Sequence, residues 1–165
     1  MEMPQRKHPR LKDYDYSLPG YYYVTIHTEK DAPVLSRVEL TAASAGIAVR
    51  LTRIGKVAYQ QLYALQQRYG CVKIDKFVIM PNHIHAIICL TEEAAGAAVS
   101  PTLMEVVCAY KSLTTRICNR LSRTPGRKLF QTSFYDTVLR NEKAYQECWR
   151  YIDENPAKWL LGQEE

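Results

Sequence analysis

Two long apolar runs, Val72 to Met80 and His83 to Leu90, are separated only by Pro81-Asn82. A link that short joins neighbouring antiparallel strands, so this pair anchors everything else the chain can build. Around it, Tyr21 to Thr28 (Tyr-Tyr-Tyr-Val-Thr-Ile-His-Thr) is rich in aromatic and β-branched residues and predicts a further strand. Residues 34–51 predict a β-hairpin excursion with Ala42 to Gly46 at its tip. Thr52 then fits an N-cap, followed by a helix with Ile54, Val57, Ala58, Leu62 and Leu65 at helical spacing and Gly70 as its close.

After a small-residue loop, Glu92 to Ser100, Pro101 leads into a helix from about Thr102 to Leu121. Its amphipathic stripe is Leu103, Val106, Val107, Tyr110, Leu113, Ile117 and Leu121. Thr124-Pro125-Gly126 breaks that helix, Phe134 to Leu139 predicts one more strand, and a last helix begins near Asn141. The order strand, helix, strand, strand, helix, strand is the ferredoxin-like α+β pattern, an antiparallel sheet with helices on one face, here extended by a C-terminal helix.

The length, 165 residues, suits one domain, with residues 1–20 as a polar, basic N-terminal arm ending at the turn signal Pro19-Gly20. No run approaches eighteen apolar residues, and Met1 to Lys7 lacks the apolar stretch of a secretory signal, so no membrane association is expected. The five cysteines are odd in number and lack C-x-x-C spacing. That pattern indicates neither a disulfide framework nor a zinc ribbon, and the expected location is the cytoplasm. The formal charge of +5 is unevenly placed. Arg6, Lys7, Arg10 and Lys12 form one basic patch; Arg116, Arg120, Arg123, Arg127 and Lys128 form a second. Two such patches fit a polyanion such as nucleic acid, and equally an ordinary soluble basic surface.

The chemistry concentrates in His83-Ile84-His85. Residues i and i+2 of a strand share a face, so the two imidazoles stand side by side while Ile84 enters the opposite layer. Two neutral imidazoles can hold a divalent metal; two solvent-facing histidines are the plain alternative. A metal site acting on DNA also needs a nucleophile, either water or a tyrosine. Of the twelve tyrosines, Tyr110 falls on an apolar stripe and reads as core, while Tyr135 and Tyr145 have no distinguishing partner. Tyr151 does have one: Asn155 lies one helical turn later on the same face, with Trp149 and Ile152 on a neighbouring face to pack the helix. Asn155 before Pro156 also fits a simple helix end.

Taken together, Met80-Pro81-Asn82-His83-Ile84-His85 and Arg150-Tyr151-Ile152-Asp153-Glu154-Asn155-Pro156-Ala157-Lys158-Trp159 resemble the REP-associated tyrosine transposases, which belong to the single-tyrosine HUH transposases of small bacterial insertion sequences. Arg10 to Tyr16, Ala109 to Thr115, Lys128 to Gln131 and Phe134 to Asn141 carry the resemblance across nearly the whole chain. It implies a ferredoxin-like core, Mg²⁺ or Mn²⁺ on His83, His85 and Asn155, and Tyr151 as nucleophile. The implied reaction cuts and rejoins single-stranded or hairpin DNA through a 5′-phosphotyrosine. Insertion-sequence relatives carry a glutamine at the position where this chain has Asn155, and in this the chain resembles the REP-associated branch. The resemblance also implies contact with nucleoid DNA. Arg6, Lys7, Arg10, Lys12, Lys111, Arg116, Arg120 and Arg123 are the candidate DNA contacts, with Tyr14 and Tyr16 available for stacking on unpaired bases. Both a homodimer and a monomer occur among such proteins. The rival readings are a domesticated hairpin-binding protein that no longer cleaves, and a water-using metal nuclease in which Tyr151 is structural.

Overall fold

A computed structural model describes residues 10–42, 46–92 and 100–162. Its elements run β1 (Gly20–His27), a 3-10 turn (Glu29–Asp31), β2 (Ser36–Thr41), β3 (Gly46–Leu51), α1 (Arg53–Arg68), β4 (Val72–Ile79), β5 (His83–Leu90), α2 (Leu103–Ser122), β6 (Tyr135–Leu139) and α3 (Glu142–Leu160). Four strands form one sheet in the order β4-β5-β1-β6, antiparallel at every junction. With β2 and β3 set aside as a separate ribbon, this is the ferredoxin-like order expected from the chain pattern.

The connection that anchors the prediction closes with Met80 N donating to His83 O at 2.9 Å. The turn is stitched to its surroundings: Leu35 N donates to Pro81 O, and Thr28 N to Asn82 O, each at 2.9 Å. Proline suits this place because it has no amide hydrogen to leave unmatched.

Alternation sorts the sheet into two layers. Tyr22, Val24, Ile26, Ile84, Ala86 and Ile88 pack against α1 and α2 in the main core. Ile84 therefore enters the buried layer, as its spacing requires. Tyr23, Ile87 and Leu139 face the other way and pack against Cys148 and Ile152 of α3. Helix α3 thus lies on the opposite face from α1 and α2.

Three local expectations change. Helix α1 stops at Arg68, with Tyr69 in extended backbone as its cap, and Gly70 does not adopt the left-handed geometry of a glycine cap. On α2 the buried line runs Leu103, Val106, Val107, Tyr110, Thr114 and Cys118. At 3.6 residues per turn the positions 113, 117 and 121 drift to the flank; Leu113 and Ile117 are half-buried and Leu121 is exposed. Tyr110 is core, its hydroxyl donating to Ala58 O at 3.1 Å. Tyr145 also has a partner, the carboxylate of Asp75.

That last contact depends on an irregularity in β4. The register with β5 shifts between Ile74 and Lys76. The bulge supplies the α3 side with two consecutive polar residues. Asp75 takes the Tyr145 hydroxyl. Lys76 Nζ sits 4.5 Å from the Trp149 ring centroid and 2.5 Å from Asp153 Oδ1.

The start of α1 is tightly seated. Thr52 Oγ1 accepts from Gly55 N at 3.1 Å and donates to Val34 O at 2.6 Å. A Cβ at Gly55 would lie 1.9 Å from Leu35 O, a backbone atom that itself accepts from Thr52 N. Gly55→Ala is expected to cost about 3 kcal/mol of stability despite alanine's better helix propensity. Urea unfolding checks this, and an unchanged or raised midpoint refutes it.

Candidate active site

Pairing of β1 with β5 sets Thr25 opposite His85 and His27 opposite His83. Tyr23, Thr25 and His27 therefore share the α3-facing side of the sheet with His83 and His85. The two β5 imidazoles touch, with ring centroids 4.4 Å apart, and each residue is only 6% exposed. They are not solvent-facing histidines. Helix α3 brings Tyr151 and Asn155 to the same place: the Tyr151 ring stands edge-on to His85 at 5.4 Å, and Asn155 Oδ1 lies 3.3 Å from His83 Nε2. The helix continues through Pro156 to Leu160, so Asn155 is not a helix-end residue. It is almost wholly buried.

The hydrogen bonds define the electronic character of the pair. Asn82 Oδ1 lies 2.6 Å from His83 Nδ1. An amide oxygen can only accept, so Nδ1 carries the proton. In a neutral ring the Nε2 lone pair then faces the lone pairs of Asn155 Oδ1. Burial, aided by the neighbouring His27, pushes the His83 imidazole down to about 4, which keeps it neutral near pH 7. The Asn155 amide nitrogen is buried with no hydrogen-bond partner. Turning the amide over would satisfy Nε2 and strand the oxygen instead. Two buried acceptors facing each other beside an unmet amide form a donor set whose chemistry suits a cation.

His85 is held from behind. Its Nδ1 lies 2.7 Å from the Tyr23 hydroxyl and 2.9 Å from Thr25 Oγ1. Such outer contacts fix ring orientation and tautomer at metal-binding histidines. Burial first, and then the neighbouring imidazoles of His83 and His27, hold His85 well below its ordinary value. Burial also pushes the Tyr23 phenol up, so it stays a neutral hydroxyl. His27 completes the row: its ring is 5.5 Å from that of His83, and its Nδ1 is 3.0 Å from Asp31 Oδ1. Asp31 is presented from a turn in which both it and Lys30 have positive φ, at 50° and 55°. It also accepts from Gln131 Nε2 at 3.1 Å.

The buried pair carries a pH consequence. Above the ordinary imidazole value of 6.5 His83 is neutral in both folded and unfolded chains, so pH has no leverage through it. Below that value the unfolded chain takes up a proton that the folded one refuses until about 4. Stability is therefore expected to fall as pH drops from about 6.5 towards 4, by roughly 3 kcal/mol through His83. Urea midpoints across this range in metal-free buffer test it; a flat profile would contradict it.

Among the described residues, no three His, Cys, Asp or Glu side chains converge on one point. A metal here would rest on the two imidazoles and the Asn155 amide. Tyr23, Thr25, His27, Asp31 and Asn82 were not singled out by the sequence alone. Tyr23, Thr25 and His27 do alternate along β1, but their relevance depends on cross-strand register, which one chain's pattern does not carry.

The basic candidates divide. Arg6 and Lys7 lie outside the described residues. Lys12, Arg116, Arg120 and Arg123 are exposed. Arg116 and Arg120 are a turn apart on α2, which packs on the sheet face opposite the histidines. The segment beyond that helix returns to their end of the sheet, with Gln131 N donating to His27 O at 3.0 Å and Glu29 N to Leu129 O at 2.9 Å. Lys111 Nζ donates to Thr132 O at 2.8 Å.

Arg10 has a task inside the fold. Its Nη1 lies 2.6 Å from the fully buried side chain of Asp136 and 2.9 Å from Phe134 O. The guanidinium also sits 3.9 Å from the Phe134 ring centroid. Arg10→Ala is expected to lose about 2–3 kcal/mol of stability by breaking a buried ion pair, measured by denaturation without DNA. Nor is Tyr16 free for base stacking. It is buried in the core, and its hydroxyl accepts from Leu11 N at 2.9 Å. Tyr14 is half-buried and edge-on to Tyr16 at 4.9 Å. No helix among the described residues is long and apolar enough to cross a membrane.

Comparison with known proteins places these features in context. No protein-family model matches the chain. An uncharacterized protein of Haemophilus influenzae is 27% identical over 173 aligned positions, covering 96% of this chain and 92% of its own. The structure of a REP-associated tyrosine transposase bound to a REP hairpin is similar over 91% of this chain and 73% of the other, with a TM-score of 0.63 and 18% identity. The crystal structure of a candidate transposase from Deinococcus radiodurans matches 88% of this chain and 95% of its own, with a TM-score of 0.52 and 14% identity. The chain shares the fold of these two proteins.

Proposed function

We propose that this chain is a REP-associated tyrosine transposase, a single-tyrosine HUH enzyme that cleaves and rejoins single-stranded hairpin DNA. The observation that carries the reading is the meeting of His83, His85, Asn155 and Tyr151 on one sheet face, under one helix. Fold alone assigns no activity, but this constellation has the parts that the chemistry needs, and the sequence resemblance and shared fold agree with it.

His83 Nε2 and Asn155 Oδ1 offer two lone pairs 3.3 Å apart, a separation at which one cation touches both. A proton on His85 Nδ1, donated to the Tyr23 and Thr25 oxygens, leaves Nε2 of that ring free to join them. A bound Mg²⁺ or Mn²⁺ would polarise the scissile phosphate and neutralise charge building on its oxygens. Asn82 and the Tyr23-Thr25 pair keep the imidazoles oriented. The Tyr151 oxygen attacks phosphorus as its proton passes to solvent water. The new bond is tyrosine oxygen to phosphorus; the bond that breaks is phosphorus to the 3′-oxygen, which takes up a proton. The products are a 5′-phosphotyrosine and a 3′-hydroxyl. Attack by a 3′-hydroxyl reverses the step and reseals DNA with no external energy source. The exposed Lys12, Arg116, Arg120 and Arg123 supply phosphate contacts that place the strand without reading its sequence.

The test is incubation of the protein with end-labelled REP-type hairpin DNA and Mn²⁺, resolved on a denaturing gel. A protein-linked DNA band is the expected result. Cleavage without an adduct means a water-using nuclease, and binding without cleavage means a hairpin-binding protein; either outcome overturns the proposal.

A further inference from the structure

We infer that Lys158 is a positioning residue for Tyr151, holding the phenol ring in its attacking orientation. The inference rests on the nucleophilic role proposed for Tyr151. Its basis is a stripe along α3. Tyr151, Glu154 and Lys158 are spaced three and then four residues apart, so they lie above one another on the helix surface. Lys158 Nζ sits 4.6 Å from the centroid of the Tyr151 ring and 3.3 Å from Glu154 Oε2. A lysine side chain is costly to immobilise for one exposed contact. Here the ammonium has two, a ring face on one side and a carboxylate on the other, and the side chain is only 25% exposed.

The ring is bounded on its other sides by groups that do not move with α3. Its plane meets that of His85 at 70° across 5.4 Å, and that of Tyr23 at 81° across 6.3 Å. Those two contacts limit how far the phenol can approach the sheet. Neither prevents it from swinging outward. The ammonium does, because an aromatic face attracts a cation and any outward tilt withdraws that face from the charge. Glu154 keeps the ammonium from drifting. In-line attack on phosphorus tolerates little misplacement of the nucleophile, so a ring loosened from one side loses rate rather than affinity.

Lys158→Met keeps the aliphatic stem and removes the charge, and Lys158→Arg keeps the charge. Under single-turnover conditions with saturating hairpin DNA and Mn²⁺, Lys158→Met is expected to cleave about tenfold to a hundredfold more slowly. Its DNA affinity stays within about threefold of the parent, and Lys158→Arg recovers most of the rate. Wild-type rate in Lys158→Met overturns the inference. So does a defect that saturating DNA abolishes, because Lys158 would then be a DNA contact. A second measurement does not depend on cleavage. In protein carrying 3-fluorotyrosine, the fluorine resonance that vanishes in Tyr151→Phe is expected to shift and narrow in Lys158→Met, as the ring gains freedom. An unchanged resonance also overturns the inference. If the parent protein forms no DNA adduct, the functional proposal fails, and the fluorine signal still decides whether Lys158 holds the ring.

Discussion

Replacing Tyr151 with phenylalanine removes one oxygen and is expected to remove the covalent DNA adduct entirely, with cleavage falling by at least about a thousandfold. The size of the effect follows from the proposed role: the neighbouring Tyr23 hydroxyl is buried and engaged with His85, and the exposed Tyr135 stands against His27 rather than the His83–His85 pair. The phenyl ring keeps its contacts with His85 and Lys158, which involve the ring rather than its hydroxyl. Hairpin affinity is therefore expected to change little, and gel-shift titration measures it beside the cleavage assay. Residual cleavage near the parent rate would show that water, not Tyr151, attacks.

Alanine at His83 or His85 is expected to abolish Mn²⁺-dependent cleavage to a similar degree, again about a thousandfold or more, because each ring supplies one of very few donors. The readout independent of activity is metal binding itself, followed by Mn²⁺ paramagnetic resonance or by the melting shift on adding Mn²⁺. Both signals are expected to vanish in either variant. Asn155→Ala probes the third proposed donor. Metal affinity is expected to fall about tenfold. Metal-free stability changes less than for most buried substitutions, because the deleted amide leaves its own nitrogen unsatisfied in the parent. An undiminished Mn²⁺ response in both histidine variants would rule out metal binding at this pair.

How legible each feature is in the sequence depends on the range of the interaction that decides it. His83 and His85 share a face because strands alternate, and Tyr151 and Asn155 share one because helices repeat; both facts are local and readable from spacing. Thr52 announces its helix for the same reason, accepting the amide of that helix's third residue, and Thr102, expected inside its helix, is a cap of the same kind. The second ring of contacts was not readable. Tyr23 and Thr25 reach His85 across 62 and 60 positions of chain, through a register set by β1 and β5 jointly. Arg10 misled for a related reason. In sequence it belongs to a basic arm, yet it meets Asp136 across 126 positions, and only the folded chain reveals that its charge is already matched. Tyr16 shows the same pattern, an aromatic residue in a polar arm drawn into the core.

The two sides of the sheet are unequally insured. One face is covered by two helices and most of the apolar core; the other is covered by α3, held by Ile152 and Cys148, by the β2–β3 ribbon beside it, and by the polar ties from the β4 bulge to Tyr145, Trp149 and Asp153. Tyr151 and Asn155, the proposed nucleophile and amide donor, both ride on that one helix. If α3 lifts while the rest stays folded, the histidines gain water and lose both companions in the same event. The active fraction of molecules is then an equilibrium population, set by the local opening free energy of one helix rather than by global stability. A substitution at Lys76 or Asp75 is expected to lower turnover with His83, His85, Tyr151 and the melting temperature all intact. Amide exchange along α3, faster than in β1 or β5, would report that population directly.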